Sequence, residues 1–254
     1  ILMANIAAAI ICSTGGVTSA QDSLYEYGMT PVSIENGKLV SGDAIHNDAA
    51  TADVQTSNMT GTTDQYYGHF FFGNADIKNT SFDNNTLKTD GPNGVVYFNS
   101  SVKLYPTSYE VETPNTVTVT NSSFNGNKIE STGGTASIYS TSKAGAVMIK
   151  GTNVTFNDVA FNDNAASGGT HAQAMGGAVY LDSTSNTANH DGQKRVLKAS
   201  ATFNVTKDTT YAGNKVFGVD AYSDTYGSYA KTGGGFMYMD RGGEANFNVA
   251  DGVT

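Results

Sequence analysis

The chain is 254 residues long, with a net charge of −9, 29 glycines, no tryptophan and only 15% charged residues. Two arginines, Arg195 and Arg241, and no basic patch argue against a nucleic-acid partner, and an anionic membrane surface would repel the chain. A single cysteine allows no internal disulfide, and the scarcity of Glu, Lys, Leu and Arg leaves helix a minor element.

In chain order, residues 1–20 are apolar to Ile11 and small thereafter. The run Ile6–Ile11 followed by Thr18-Ser19-Ala20 reads as the end of a secretory signal peptide; without a basic n-region it reads equally as a cap on a stacked body. The run is too short to span a bilayer, and Ile11 before Cys12 argues against lipidation. Residues 21–68 form an irregular first coil or N-terminal cap, with strands at Thr30–Ile34 and Lys38–Val40 before a polar stretch at Asp43–Gln65. Regular structure is expected from His69-Phe70-Phe71-Phe72, so residues 69–254 form the repeating body. The pattern stops at Gly252-Val253-Thr254 without a cap signal, which reads as a truncated C-terminal end.

That body is organised by two signatures in fixed order. An FxxN tetrapeptide occurs at Phe82–Asn85, Phe124–Asn127 and Phe161–Asn164, and with tyrosine at Tyr211–Asn214. Its aromatic recurs after 42, 37 and 50 residues. Glycine-rich openings onto apolar runs alternate with it, most fully at Gly176-Gly177-Ala178 and Gly233-Gly234-Gly235, and in part at Gly94 and Gly145. Fixed order at variable spacing is the mark of a repeated unit with loops of different length. Short runs rich in Val, Thr, Phe and Tyr lie between, such as Thr116–Thr120, Ala146–Ile149, Asn153–Phe156 and Ala201–Val205. Strands this short cannot each bury a face alone, whereas stacking each on its counterpart one coil away buries all of them. The expected fold is all-β: a right-handed parallel β-helix, or solenoid, with an irregular N-terminal cap. Phe82, Phe124, Phe161 and Tyr211 would stack inside it. Asn85, Asn127, Asn164 and Asn214 would sit at turns, in left-handed backbone, each bonding its neighbour one coil away. Gly176, Gly177, Gly233 and Gly234 would serve another corner. About two coils of some 20 residues are expected per motif interval, each rising roughly 4.8 Å.

FxxN paired with GGA(I/V) resembles the repeat of chlamydial polymorphic outer-membrane proteins and of related bacterial autotransporter passengers, over roughly residues 69–250. The departures are Tyr211 for Phe and the incomplete openings at Gly94 and Gly145. The resemblance implies a secreted or outer-membrane surface protein, usually an adhesin and sometimes an enzyme, without fixing a ligand; the chain would be the passenger segment, acting as an adhesin or a structural stalk. Its partner would be a glycan or protein on a host or bacterial surface.

Long insertions fall at Asn99–Asn115, Asp182–Arg195 and Gly218–Lys231, where a solenoid carries specificity. The residues expected to make contact are Tyr222, Tyr226, Tyr229, His190 and Arg195, because aromatic and arginine side chains dominate recognition surfaces. Two other functions stay open. A carbohydrate-active enzyme would need carboxylates such as Asp83, Asp158 and Asp163 to converge in a cleft with His190 or Arg195. A self-associating filament would need open strand edges at both ends of the rod. No HExxH, CxxC or GxSxG element occurs and His46, His69, His171 and His190 are scattered, so neither a metal nor a cofactor is expected. The Asn-x-Ser/Thr sequons at Asn58, Asn79, Asn84, Asn99, Asn121, Asn153 and Asn204 read as compositional, and Asp240–Gly243 reads as a turn.

Overall fold

A computed structural model describes residues 32–35, 38–41, 45–46, 58–59, 69–72, 74–89, 93–103, 108–110, 114–131, 140–168, 172–186, 195–217 and 232–253. These are all strand, turn or irregular, with no helix among them, and most of the strands pair in parallel. The chain visits three sheets in a constant order. The first sheet stacks Val32–Glu35, Ala75–Lys78, Thr116–Thr120, Asn153–Asn157, Ser200–Val205 and Glu244–Val249 in parallel, with Lys38–Ser41 antiparallel at one edge. The second takes Asn58–Met59, Thr86–Thr89, Lys128–Ser131, Ala165–Ser167 and Lys215–Phe217. The third takes His69–Phe72, Val96–Asn99, Val147–Lys150, Val179–Asp182 and Met237–Asp240, with Ile45–His46 antiparallel at its edge. This order already begins at Val32–Glu35, ahead of residue 69.

Register decides how much chain one pass uses. Phe124 lies directly opposite Phe161, and Ser81 bridges Ser123. One motif interval is therefore a single pass around the stacked sheets, not two coils of some 20 residues. Each interval rises by one strand spacing, about 4.8 Å, and the body advances half as far per motif as expected.

Alternation along the first sheet places the core. Val117 and Val119, Val154 and Phe156, and Ala201, Phe203 and Val205 point inward and are buried, while the Thr, Asn and Ser residues between them face out. Two aromatic columns meet inside. Phe82, Phe124 and Phe161 stack at 4.8 and 4.9 Å, and Phe156, Phe203 and Phe247 at 5.0 and 4.6 Å. Edge-to-face contacts such as Phe156–Phe161 at 5.2 Å join the columns. Each such pair adds about 0.5–1.5 kcal/mol beyond the area it buries.

Both faces of the third sheet are buried in Val96–Asn99 and Val179–Asp182. Its outward column Tyr97, Met148, Tyr180 is covered, and a fourth parallel sheet of Ser140–Lys143, Ala172–Met175 and Thr232–Gly233 leads into it, with Lys143 Nζ 5.4 Å from the Tyr180 ring centre. Two of the expected insertions hold antiparallel hairpins, Ser101–Lys103 with Ser108–Glu110 and Thr184–Asn186 with Arg195–Leu197. The third, Gly218–Lys231, lies outside the described residues.

Candidate functional site

The corner between the first and second sheets is built from the FxxN repeat. Asn85, Asn127 and Asn164 are fully buried, and each takes its neighbour's amide oxygen twice. Asn85 donates from N and Nδ2 to Asn127 Oδ1 at 3.1 and 3.0 Å, Asn127 does the same to Asn164, and Asn164 to Asn214 at 3.1 and 2.8 Å. Asn164 and Asn214 also donate to the carbonyls of Phe124 and Phe161. The left-handed backbone, however, belongs to the residue before the asparagine: Asn84 (φ 59°), Gly126 (66°), Asp163 (55°) and Gly213 (69°). Asn, Gly and Asp tolerate that conformation, so the repeat is better written Fx[NGD]N. The buried asparagine keeps ordinary backbone and is there for its amide.

The glycine corner divides its labour in the same way. Gly176 and Gly234 are left-handed, at φ 71° and 73°. A Cβ on Gly177 would overlap the Gly235 carbonyl oxygen of the next pass and lie 2.6 Å from Lys215 N. Gly233 pairs with Met175, so Gly234–Gly235, not Gly233–Gly234, is the counterpart of Gly176–Gly177.

Three passes leave the first sheet through another left-handed residue: Asn79, Asn121 and Asp158, at φ 48°, 48° and 53°. Four residues separate Lys78, Thr120 and Asn157 from Phe82, Phe124 and Phe161, but seven separate the register-equivalent Asn204 from Tyr211. The three extra residues make a lip over the corner. Asp158 holds it, accepting from Thr206 N at 2.6 Å, Thr206 Oγ1 at 2.7 Å and Lys207 N at 3.3 Å. Lys207 Nζ reaches back two passes to Asn121 Oδ1 at 2.6 Å. Slight desolvation pushes the Asp158 carboxyl up, but the bonds from Thr206 and Lys207 outweigh it and hold the carboxyl below its ordinary range. Beneath the lip lies an open cleft of about 440 Å³, with Asn79, Ser81, Asn121, Ser123, Lys207 and Thr209 among its lining. That lining is mostly hydroxyl and amide, with the Asp158 and Asp208 carboxylates and the Lys207 ammonium, and has no aromatic ring in it.

A second polar group lies on the outward face of the third sheet, where Lys150, Asp182 and Asp240 share one column. Asp182 is 3% exposed; its Oδ1 lies 3.4 Å from Arg241 Nε yet makes no hydrogen bond among the described residues. Burial raises the Asp182 carboxyl against the pull of Arg241, Lys150 and Lys143, and burial lowers Lys150. Tyr180 donates to Asp240 Oδ2 at 3.0 Å, and Arg241-Gly242 make the turn expected there.

Of the residues expected to make contact, Tyr222, Tyr226, Tyr229 and His190 lie outside the described residues, and Arg195 opens a hairpin strand opposite Asn186. The carboxylates weighed for catalysis take different partners. Asp83 accepts from Asn125 N at 2.7 Å and Ser123 Oγ at 2.9 Å, Asp158 holds the lip, and Asp163 is exposed at its turn. Among the described residues no three His, Cys, Asp or Glu side chains gather to hold a metal ion. The lip is not foreseen by the repeat pattern. Its signal was the seven-residue step from the strand to Tyr211, hidden inside the 50-residue interval that also holds the Asp182–Arg195 insertion. Comparison with protein-family models, with curated proteins and with solved structures finds no match. The class that the geometry defines is an all-β protein of stacked, in-register parallel sheets.

Proposed function

We propose that the stacked sheets close into a right-handed parallel β-helix, and that the chain is the passenger segment of a bacterial surface-exposed or secreted autotransporter, acting as an adhesin. The observation that carries this reading is the in-register recurrence of the Fx[NGD]N corner with its unbroken asparagine ladder. Such a ladder spends its interior on self-stacking and leaves corners and insertions free to vary, which suits a binding rod. The partner is a glycan or protein on a host or bacterial surface, met by the insertions that carry His190, Arg195, Tyr222, Tyr226 and Tyr229. No cofactor or nucleic acid enters. The test is adherence of the purified chain to host and bacterial cells, with an equally acidic β-rich protein as control. Retention no better than that control sinks the adhesin reading.

A further inference from the structure

We infer that the corner cleft is a saccharide site that prefers neutral over anionic glycans; this rests on the surface-binding reading above and names its ligand class. The cleft is constructed by one departure from the repeat. Three passes turn the corner in four residues, and the fourth spends seven. The surplus is not slack: Asp158 fixes its start with three hydrogen bonds, Thr209 Oγ1 bonds Lys207 O at 2.8 Å, and Asn162 Nδ2 bonds Thr210 Oγ1 at 2.8 Å. A lip tied at both ends arrives ordered, so a ligand does not carry the entropy of ordering it.

The lining then selects the ligand. At about 440 Å³ the cleft falls within the range of small-molecule sites and has room for a short saccharide. It offers the side-chain amides of Asn79 and Asn121, the hydroxyls of Ser81, Ser123 and Thr209, and the Lys207 ammonium. An ammonium has three N–H donors, and Asn121 takes one of them. A polyhydroxylated ligand can exchange its water hydrogen bonds for these with little net loss, whereas an apolar ligand finds almost nothing to bury against. Charge sets the preference. Asp158 and Asp208 face the single Lys207 around the cleft, and the chain as a whole carries −9. Sialylated, uronic or sulfated sugars therefore meet repulsion, and neutral hexoses or N-acetylhexosamines do not.

The experiment is a glycan array followed by calorimetry on the best neutral glycan, using the full chain, Lys207→Ala, and a variant lacking Thr206–Asp208. That deletion restores the four-residue corner of the other passes, so it removes the lip and keeps the ladder. We expect neutral glycans to bind, the deletion to weaken binding by about tenfold or more, equivalent to one or two lost hydrogen bonds, and Lys207→Ala to weaken it severalfold. Circular dichroism and the urea midpoint report whether the deletion folds. If it does not, Thr209→Trp, which fills the cleft from its rim, takes its place with the same expected loss. Glycan binding untouched by these variants overturns the cleft and leaves the adhesin reading standing. Binding confined to anionic glycans overturns the preference. Adherence to cells with no glycan bound rejects the saccharide site alone, and failure of both rejects both.

Discussion

Tyr211→Phe should make the protein more stable. Tyr211 continues the column of Phe82, Phe124 and Phe161, but its hydroxyl is buried and has no hydrogen-bond partner among the described residues. The stack also widens there, to 6.0 Å from Phe161 against 4.8 and 4.9 Å for the two phenylalanine steps. Leaving a buried hydroxyl unpaired costs about 1–3 kcal/mol. The ring itself is only half-buried and keeps its edge-to-face contact with Phe236 at 5.3 Å, so the expected gain sits near the low end, about 1 kcal/mol. For a chain of this size that is roughly 2–4 °C in Tm. Urea unfolding followed by circular dichroism would measure it.

The same residue makes an alkaline prediction with a definite sign. Burial, then the nearby Asp158 charge, pushes the Tyr211 phenol up to about 12 from an ordinary 10. A raised folded-state value means that its contribution is fully present below pH 10 and is lost as pH rises toward 12. Wild type should therefore lose stability across that window relative to Tyr211→Phe. Tyr180, also raised by burial and by its bond to Asp240, is common to both proteins and cancels in the difference. A Tyr211→Phe variant less stable than wild type at neutral pH, with no divergence in alkali, would refute the reasoning, because the hydroxyl would then have a partner.

Other outcomes follow from the same contacts. Asn164→Ala strips the acceptor from Asn127 N and Nδ2 and removes two donations, to Asn214 Oδ1 and Phe124 O, so unfolding free energy should fall by about 3 kcal/mol or more in urea titrations. Gly177→Ala should abolish soluble folded protein, since its Cβ meets backbone of the next pass, whereas Gly242→Ala meets nothing and should cost only the left-handed strain, about 1 kcal/mol. In the charged column, Asp182→Asn and Lys150→Met each remove a charge that burial disfavours together with a partner that favours the other, so the two should couple. In a double-mutant cycle the double variant should be more stable than the sum of the two single effects by about 0.5–3 kcal/mol. Because burial raises Asp182, its charged form costs stability above the ordinary carboxylate range. The wild-type stability should therefore gain, relative to the double variant, as pH falls toward 4.

Much of the local structure was legible in the residues alone. Period-two alternation in Thr116–Thr120, Asn153–Asn157 and Ser200–Val205 marks strands with one buried face, because only every second side chain can point inward. A large aromatic recurring before Asn marks a position that must be filled the same way each time. What the sequence could not supply is which recurrence lies beside which. That pairing is a contact between residues 37 to 50 apart, and only the register Phe124↔Phe161 shows one pass per motif. The assignment of backbone conformation within Fx[NGD]N likewise waited on structure. Asn84 and Asn85 are the same residue type, and only their hydrogen bonds separate a left-handed turn from a buried amide rung. The cleft needed the stack most of all: three extra residues after Val205 look like an ordinary loop until Asp158 and Asn121, from earlier passes, are brought beneath them. Local pattern decides which residues go inside, and stacking decides what they meet, because each pass finds its partners only in the passes above and below it.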